Sequence, residues 1–107
     1  MSDTSEITNG SLTHYSVYLL VDPRNKTVRY VGISKHPQER LKQHLKGDHN
    51  TAKTNWIREL QQHDLLPDMQ IIEEVRGHKQ ARLCEAGWIS FFSGLELRLT
   101  NFEEVSA

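Results

Sequence analysis

A single cysteine, Cys84, is present among the 107 residues of this chain. One thiol cannot form an internal disulfide or supply a thiolate-rich zinc site, and the six histidines lack the spacing of zinc ligands. No run of about 18 or more apolar residues occurs, and the first residues are acidic and polar, unlike a signal peptide. These absences predict a cytoplasmic protein with no membrane segment and no disulfide framework.

Apolar residues are also scarce, at 36% of the chain beside 25% charged residues. This composition is typical of a small globular domain with a thin core. Residues 1–13 have no apolar periodicity and are predicted to form a flexible polar lead. Residues 14–107 are predicted to form a single domain, because a second independent module does not fit in this length.

The chain also has almost no net charge. It contains 13 Lys and Arg and 14 Asp and Glu residues, which give a net charge of −1. That balance by itself argues against a polyanionic partner. The charges are unevenly distributed, however. Residues 24–58, here called the basic segment, hold nine basic and two acidic side chains, or +7, and the rest holds four basic and twelve acidic, or −8. The asymmetry fits either a nucleic-acid surface or an ordinary solvated surface.

Two strand-like stretches flank a turn at the start of the domain. Residues 15–21 and 27–33 are rich in β-branched and aromatic side chains, and the Asp-Pro-Arg-Asn sequence between them is typical of a tight turn. We therefore predict a β-hairpin whose three-residue loop is closed by Asn25 in the left-handed region.

This loop length also predicts a register for the hairpin. Tyr18 is expected opposite Tyr30, and Ser16 opposite Gly32. The two tyrosines then share one face of the sheet. A glycine on that face is expected to leave open space beside them, as a functional site requires.

Helical periodicity and cap residues predict three helices, over residues 37–46, 51–63 and 79–92. Residues 69–75 predict a third strand, and its neighbouring Ile71 and Ile72 favour burial on both faces and hence a central position. Alternating leucines predict an extended segment over residues 95–99. The predicted fold class is α/β (α+β), a small three-stranded, mostly antiparallel sheet made of the hairpin plus one strand and flanked by about three helices.

One carboxylate falls on an apolar helical stripe. Glu85 shares its side of the third predicted helix with Ala81 and Trp88, where a carboxylate must lose water and then needs a partner or a metal. The alternative is a place at the margin of the stripe, paired with Arg82 or Arg40. Ordinary explanations also exist for the tyrosine pair, as cross-strand packing, and for the basic residues of the first helix, as a solvated face.

Seven residues in chain order carry a resemblance to the GIY-YIG nuclease family, namely Tyr18, Tyr30, Gly32, Arg40, His44, Glu85 and Asn101. The first half of the family signature corresponds to the Ser-Val-Tyr sequence that ends at Tyr18, and the second half to the Tyr-Val-Gly sequence that ends at Gly32. The resemblance covers residues 15–101. Ser16 replaces the usual first glycine and valines replace isoleucines, but no catalytic group is lost.

The resemblance implies a metal-dependent endonuclease that hydrolyses phosphodiester bonds in DNA. It implies one Mg²⁺ (or Mn²⁺) ion on Glu85, bound weakly without DNA because a single carboxylate leaves the other positions to water and phosphate. Arg40 would brace the phosphate as negative charge develops. Asn101 would position the metal shell or close the site through its amide.

The resemblance also implies a base that activates the attacking water. Tyr18 is the first candidate, with Tyr30 positioning the water or the phosphate. His44 is the rival base or a proton relay, since its ordinary pKa near 6.5 already suits proton transfer at neutral pH. The residues themselves do not decide between these two bases.

The predicted partner is nucleic acid, and no association with a membrane is expected. DNA is favoured, with RNA as an alternative that the residues do not distinguish. We expect no appended DNA-binding domain, so specificity would come from the domain itself, from a homodimer or from a protein partner. The alternative function is a non-cleaving module on the same fold that binds a nucleic-acid structure or a protein. The basic side chains predicted to contact phosphates are Lys35, Lys42, Lys46, Lys53 and Arg58.

Overall fold

The computed structural model of the chain describes residues 13–95 and 99–101. Its elements are β1 (His14–Asp22), β2 (Thr27–Ser34), α1 (Pro37–Lys46), α2 (Thr51–Gln62), β3 (Asp68–Arg76) and α3 (His78–Gly94). The three strands form one antiparallel sheet beside the three helices, so the predicted fold class is confirmed. Nearly all of the predicted lead and most of the predicted 95–99 segment lie outside the described residues. Within the described ranges, no helix is long and apolar enough to cross a membrane.

The strand order is β2-β1-β3, so β1 is central and β3 lies at an edge. The prediction of a central third strand is wrong, because β1 carries the apolar run that is buried on both faces of the sheet. On β3, the side chain of Ile71 is 41% exposed although two isoleucines stand side by side in the sequence. An apolar pair is therefore a weaker sign of a central strand than the five-residue buried run from Val17 to Val21.

The hairpin register differs from the predicted one by two residues. Tyr18 lies opposite Gly32, and Leu20 lies opposite Tyr30. One residue of the difference arises at the turn, where Asp22 pairs with Thr27, and the other arises at a bulge just after Leu20. The loop is closed by Lys26 at a φ of 63°, and not by the asparagine before it. Since side chains alternate with a period of two, a two-residue shift keeps both tyrosines on the predicted face.

Each face of the sheet packs against different helices. On one face, Tyr18 and Leu20 join a buried cluster with Trp56, Ile57 and Leu60 of α2. The other face packs its valines and Leu19 against α3. The tyrosine of β1 is thus a member of a packed core, which fixes its position without any substrate.

Candidate active site

Two tyrosines and one histidine meet on the face of the sheet that α1 and α2 cover. The Oη atom of Tyr18 and the Nε2 atom of His44 are 2.7 Å apart and share a hydrogen bond. The ring centroids of Tyr30 and His44 are 5.2 Å apart, and those of the two tyrosines 6.3 Å. Three of the predicted site residues, from β1, β2 and α1, are therefore brought together.

Gly32 is in contact with both tyrosines. A Cβ atom on Gly32 would lie 2.5 Å from Oη of Tyr18 and 2.9 Å from Cε2 of Tyr30. The sequence predicted open space beside this glycine. That prediction is wrong, because the ring of Tyr18 fills the space. The glycine is needed because the ring of the opposite residue occupies the position where a side chain would begin.

His44 is more buried than its predicted place at the border of the apolar face, with 0% of its surface exposed. Its second nitrogen, Nδ1, lies 2.7 Å from Nζ of Lys53. The Lys53 ammonium also donates to Oδ2 of Asp48 at 2.8 Å and lies 4.6 Å from the ring centroid of Tyr30. The imidazole is thus held from both sides, by a tyrosine and by a lysine.

The prediction that Lys53 contacts DNA phosphate is wrong, because the side chain is 1% exposed and its ammonium is bound inside the protein. The sequence contained a signal for this position. Lys53 precedes Trp56, Ile57 and Leu60 by three, four and seven residues, which places it on the inward side of α2. Asp48, in the loop before that helix, carried no comparable signal.

Arg40 lies at the open side of this cluster. Its guanidinium is half-buried and reaches Oδ2 of Asp48 at 3.4 Å and Oε1 of Gln43 at 3.0 Å. It is also close enough to both tyrosines to oppose the rise in their pKa values. A planar cation beside the two phenols is placed where a phosphate would be stabilised.

Burial is the main influence on the pKa values of the site. It raises the pKa of Tyr18, which Tyr30 raises further and Arg40 lowers in part. Burial also raises the pKa of Tyr30, again opposed by Arg40. For His44, burial and the neighbouring Lys53 and Arg40 lower the pKa to about 3. At neutral pH both phenols therefore carry their protons and the imidazole is neutral.

This burial predicts that the free energy of unfolding falls as the pH is lowered from about 6.5 toward 3, since the unfolded imidazole takes up a proton that the folded one refuses. The contribution of His44 is complete above pH 6.5, and its slope is at most about 1.4 kcal/mol per pH unit. Urea unfolding over this pH range should give a shallower slope for His44→Gln than for the unchanged protein. His49→Gln, which alters an exposed histidine, should keep the original slope.

Glu85 lies on α3 at the margin of the buried face. Its side chain is 21% exposed and its carboxylate lies 3.5 Å from Nε of Arg82, which is the marginal placement that the sequence left open. Burial raises its pKa, with Arg82 and His78 opposing. Its charge reaches both tyrosines, since it raises their pKa values too. Glu85 therefore acts on the two tyrosines through its charge, from a helix other than the one that carries Arg40 and His44.

Glu85 is the candidate ligand for a divalent ion. Among the residues that the structure describes, no three His, Cys, Asp or Glu side chains gather into a metal site. Glu85 is half-buried, and its ion pair with Arg82 is long, at 3.5 Å, so its carboxylate can still bind a cation. A single carboxylate suits an ion that keeps most of its waters and takes phosphate oxygens as further ligands. The donor set thus suits magnesium or manganese and not zinc.

Asn101 is bound to the backbone of β2. Its Oδ1 accepts from the Val31 N–H at 3.0 Å, and its Nδ2 donates to the Val31 carbonyl at 2.9 Å. Thr100 donates to the carbonyl of Arg29 at 2.8 Å on the same strand. Asn101 therefore holds the residue between Tyr30 and Gly32, which agrees with closing the site and leaves its amide committed.

The remaining predicted phosphate-binding residues are exposed. They are Lys35, Lys42, Lys46 and Arg58. Lys42 makes a long ion pair with Glu39, at 3.7 Å, in which both side chains are mostly in solvent. Such a pair is weak and yields readily to a phosphate.

A three-stranded antiparallel sheet whose first two strands present tyrosines to an arginine- and histidine-bearing helix defines a small α+β domain of the nuclease class. The chain belongs to the GIY-YIG family, since the family model described as the GIY-YIG catalytic domain matches residues 14–93. Membership makes the protein a nuclease acting on nucleic acid, in a family that generally uses divalent metal ions. No curated protein and no solved structure gave a match to the chain.

Proposed function

We propose that this nuclease hydrolyses phosphodiester bonds in DNA with one magnesium or manganese ion, using Tyr18 as the base, Arg40 as the phosphate brace and Glu85 as the metal ligand. One observation carries the proposal. The hydroxyl of Tyr18 lies within electrostatic reach of Arg40, Glu85 and Tyr30, which come from three different elements of the fold. Groups of opposite charge that converge on one phenol are typical of a catalytic site.

The proposed reaction is an in-line displacement at phosphorus. The water oxygen forms a bond to phosphorus and its proton passes to the phenolate of Tyr18. The bond from phosphorus to the leaving oxygen breaks, and that oxygen takes a proton from solvent. Negative charge develops on the phosphoryl oxygens during this step, and the guanidinium of Arg40 would stabilise it. Glu85 would hold the divalent ion, which would supply further positive charge.

His44 is a poor candidate for the base, although its ordinary pKa suits the task. Both ring nitrogens are already hydrogen-bonded, Nε2 with Tyr18 and Nδ1 with Lys53, so neither is available to take a proton from a water. Burial and two neighbouring cations lower its pKa to about 3, so it has little tendency to take a proton at neutral pH. Tyr18 has the opposite character, because burial raises its pKa and makes its phenolate a strong base. The phenol first loses its own proton to solvent, and positive charge at the site stabilises the phenolate that remains.

Nicking of supercoiled plasmid DNA tests the proposal. The protein should nick with Mg²⁺ or Mn²⁺ and stop when the ion is chelated. Glu85→Gln should raise the Mg²⁺ concentration for half-maximal nicking by about tenfold or more, because the metal loses its charged ligand. Glu73→Gln, which changes an exposed carboxylate on β3, should leave that concentration unchanged.

Absence of nicking by the unchanged protein, or equal metal dependence in Glu85→Gln, would contradict the proposal. DNA binding without any cleavage across linear, nicked, flap and branched substrates would instead support a non-cleaving binding module. A structured RNA in the same assay tests the choice of nucleic acid.

Binding to a linear DNA duplex should weaken with salt, because phosphate contacts release counterions. We expect substitution of Lys35, Lys42, Lys46 or Arg58 by Gln to reduce the slope of log affinity against log salt by about one per contact. Fluorescence anisotropy with the metal chelated measures this slope without cleavage. Lys79→Gln, an exposed lysine outside the basic segment, is the matched control and should keep the slope. Affinity that hardly changes between about 50 and 200 mM salt would contradict the prediction.

A further inference from the structure

The buried Lys53 ammonium has three acceptors among the neighbours that the structure describes. Oδ2 of Asp48 lies at 2.8 Å, Nδ1 of His44 at 2.7 Å, and the ring centroid of Tyr30 at 4.6 Å. A carboxylate, a nitrogen lone pair and an aromatic face are all acceptors for a cation. A charged lysine is therefore stabilised at a position where an isolated charge would be costly.

The carboxylate settles the charge of this lysine. Burial alone would raise the pKa of Asp48, but hydrogen bonds from Lys53 and from the backbone of Asn50 lower it overall. Asp48 is therefore ionised at neutral pH and pairs with Lys53 as an ammonium. An ammonium has three donors and no acceptor, so its contact with His44 requires a lone pair on Nδ1.

We propose that Lys53, held by Asp48, fixes His44 in the Nε2-protonated form, so that the imidazole donates its hydrogen bond to Oη of Tyr18. A neutral imidazole carries one proton, and the lone pair demanded at Nδ1 leaves Nε2 as its only place. As a catalytic statement this rests on the proposed function. As a statement about the tautomer it rests on the geometry alone. Lys53 is then a positioning residue that acts through His44.

The direction of this hydrogen bond decides where the Tyr18 proton goes. Because Oη of Tyr18 accepts the hydrogen bond from His44, the hydroxyl proton of Tyr18 cannot point at Nε2. This proton must leave toward an acceptor other than His44. A phenolate formed there keeps the donor from His44, which stabilises the base. The histidine therefore does not take the proton of the tyrosine, and a relay from Tyr18 to His44 is excluded in this arrangement.

The groups that act on Tyr18 come from four elements. Tyr30 of β2, Arg40 and His44 of α1 and Glu85 of α3 act on it directly. Lys53 of α2 contacts His44 and the ring of Tyr30 and acts on Tyr18 through the histidine. At neutral pH the two tyrosines and the histidine are neutral, while the arginine and the lysine are positive and the glutamate is negative. The charge that favours a phenolate thus comes from Arg40 and, through the imidazole, from Lys53.

The first test is the tautomer itself, measured on the ¹⁵N-labelled full chain at pH 7 without DNA or metal. Long-range ¹H–¹⁵N correlations of the imidazole, assigned with His44→Gln, should show a protonated Nε2 and an unprotonated Nδ1. The reverse pattern, or a ring protonated on both nitrogens, would overturn the proposal. This result does not depend on nuclease activity, so it separates failure of the tautomer from failure of the proposed function.

The second test is Lys53→Met, which keeps the length of the side chain and removes the donors. We expect the Nδ1-protonated form of His44 to become populated, and plasmid cleavage to fall roughly ten- to a hundredfold with DNA affinity retained. The rising limb of the pH–rate profile should move to higher pH, because the phenolate of Tyr18 loses its donor and a nearby cation. If Lys53 served only the folding of the protein, Lys53→Met would reduce the amount of active protein and leave the rising limb of the pH–rate profile at its original pH.

A folded Lys53→Met protein with the original tautomer and the original pH limb would overturn the proposal. If that variant does not fold, Asp48→Asn provides the alternative. The asparagine removes the negative charge that pairs with Lys53 but keeps an oxygen that can accept a hydrogen bond from the ammonium. It should shift the tautomer population and the pH limb in the same direction, by a smaller amount. An unchanged tautomer in Asp48→Asn would also count against the role of the carboxylate.

Discussion

Tyr18→Phe should lower the rate of plasmid nicking by about 10²–10⁴-fold, the range that loss of a general base produces. The phenylalanine ring keeps the packing of β1 against Trp56, Ile57 and Leu60, so the fold should persist. The decrease should fall on kcat, with KM almost unchanged, because Tyr18 is proposed to act on the attacking water and not to bind the DNA.

The same substitution carries a cost in stability. The Nε2 atom of His44 loses its partner at 2.7 Å and is left buried without an acceptor. Such an unsatisfied donor costs about 1–3 kcal/mol in the free energy of unfolding. Thermal unfolding must therefore be measured beside activity, at a temperature where both proteins are folded.

Tyr15→Phe is the matched control, since it removes a hydroxyl from the same strand at a position that faces His78. It should retain nearly full activity. A Tyr18→Phe protein that nicks within a factor of about ten of the unchanged protein would assign the base to another group. In that case His44 would be examined again despite its burial.

Local sequence rules were sufficient for the elements that carry their own end signals. The helix over residues 37–46 was predicted with the bounds that the structure shows, because Pro37 sets its first turn and Gly47 stops it. Asn50 caps α2 by accepting from the Lys53 N–H at 2.9 Å, and it is one of the two residues, with Thr51, whose type suggested a cap there. The hairpin was also correct in its strands, although not in its register.

The errors came from contacts between elements that are distant in the chain. The register differs by two residues because the turn pairs Asp22 with Thr27 and a bulge follows Leu20. No residue type in the turn announces that bulge. In the same way, the order of the strands depends on which of them is covered on both faces, which is a property of the packed domain.

The residues named by the resemblance were easier to predict than the contacts between them. The structure joins Tyr18 and His44 at 2.7 Å, and the charge of Glu85 raises the pKa of Tyr18. The resemblance gave no role to Asp48, and the charge of the basic segment suggested the wrong role for Lys53. Charge counting along the chain treats every lysine of the basic segment as a surface cation, whereas helical spacing directs this one inward against the imidazole.

Gly32→Ala should have the second large effect, on stability and activity together. The new Cβ atom would lie 2.5 Å from Oη and 2.6 Å from Cζ of Tyr18, and 2.9 Å from Cε2 of Tyr30. Both rings are stiff and Tyr18 is 1% exposed, so neither can turn away at low cost. We expect a loss of about 1–3 kcal/mol or more in the free energy of unfolding, as for overpacking of a core.

The activity of Gly32→Ala should fall by about a hundredfold at a temperature where the protein is folded. Displacing the Tyr18 ring by even one ångström or so strains its 2.7 Å hydrogen bond to His44 and moves the proposed base from its working position. Gly87→Ala is the matched control, because nothing lies within 4 Å of its added Cβ and it lies inside α3. There the substitution should stabilise the protein by up to about 1 kcal/mol and leave cleavage unchanged.

The double variant Gly32→Ala/Tyr18→Phe separates the steric effect from the chemical one. Removal of Oη relieves the shortest contact, but the ring carbon that would lie 2.6 Å from the added Cβ is still present. Stability should therefore recover in part relative to Gly32→Ala, while activity stays at the level of Tyr18→Phe, since no hydroxyl is left to misplace. If Gly32→Ala instead keeps the stability and the rate of the unchanged protein, the Tyr18 hydroxyl does not lie against Gly32 in solution, and the proposed placement of the base is wrong.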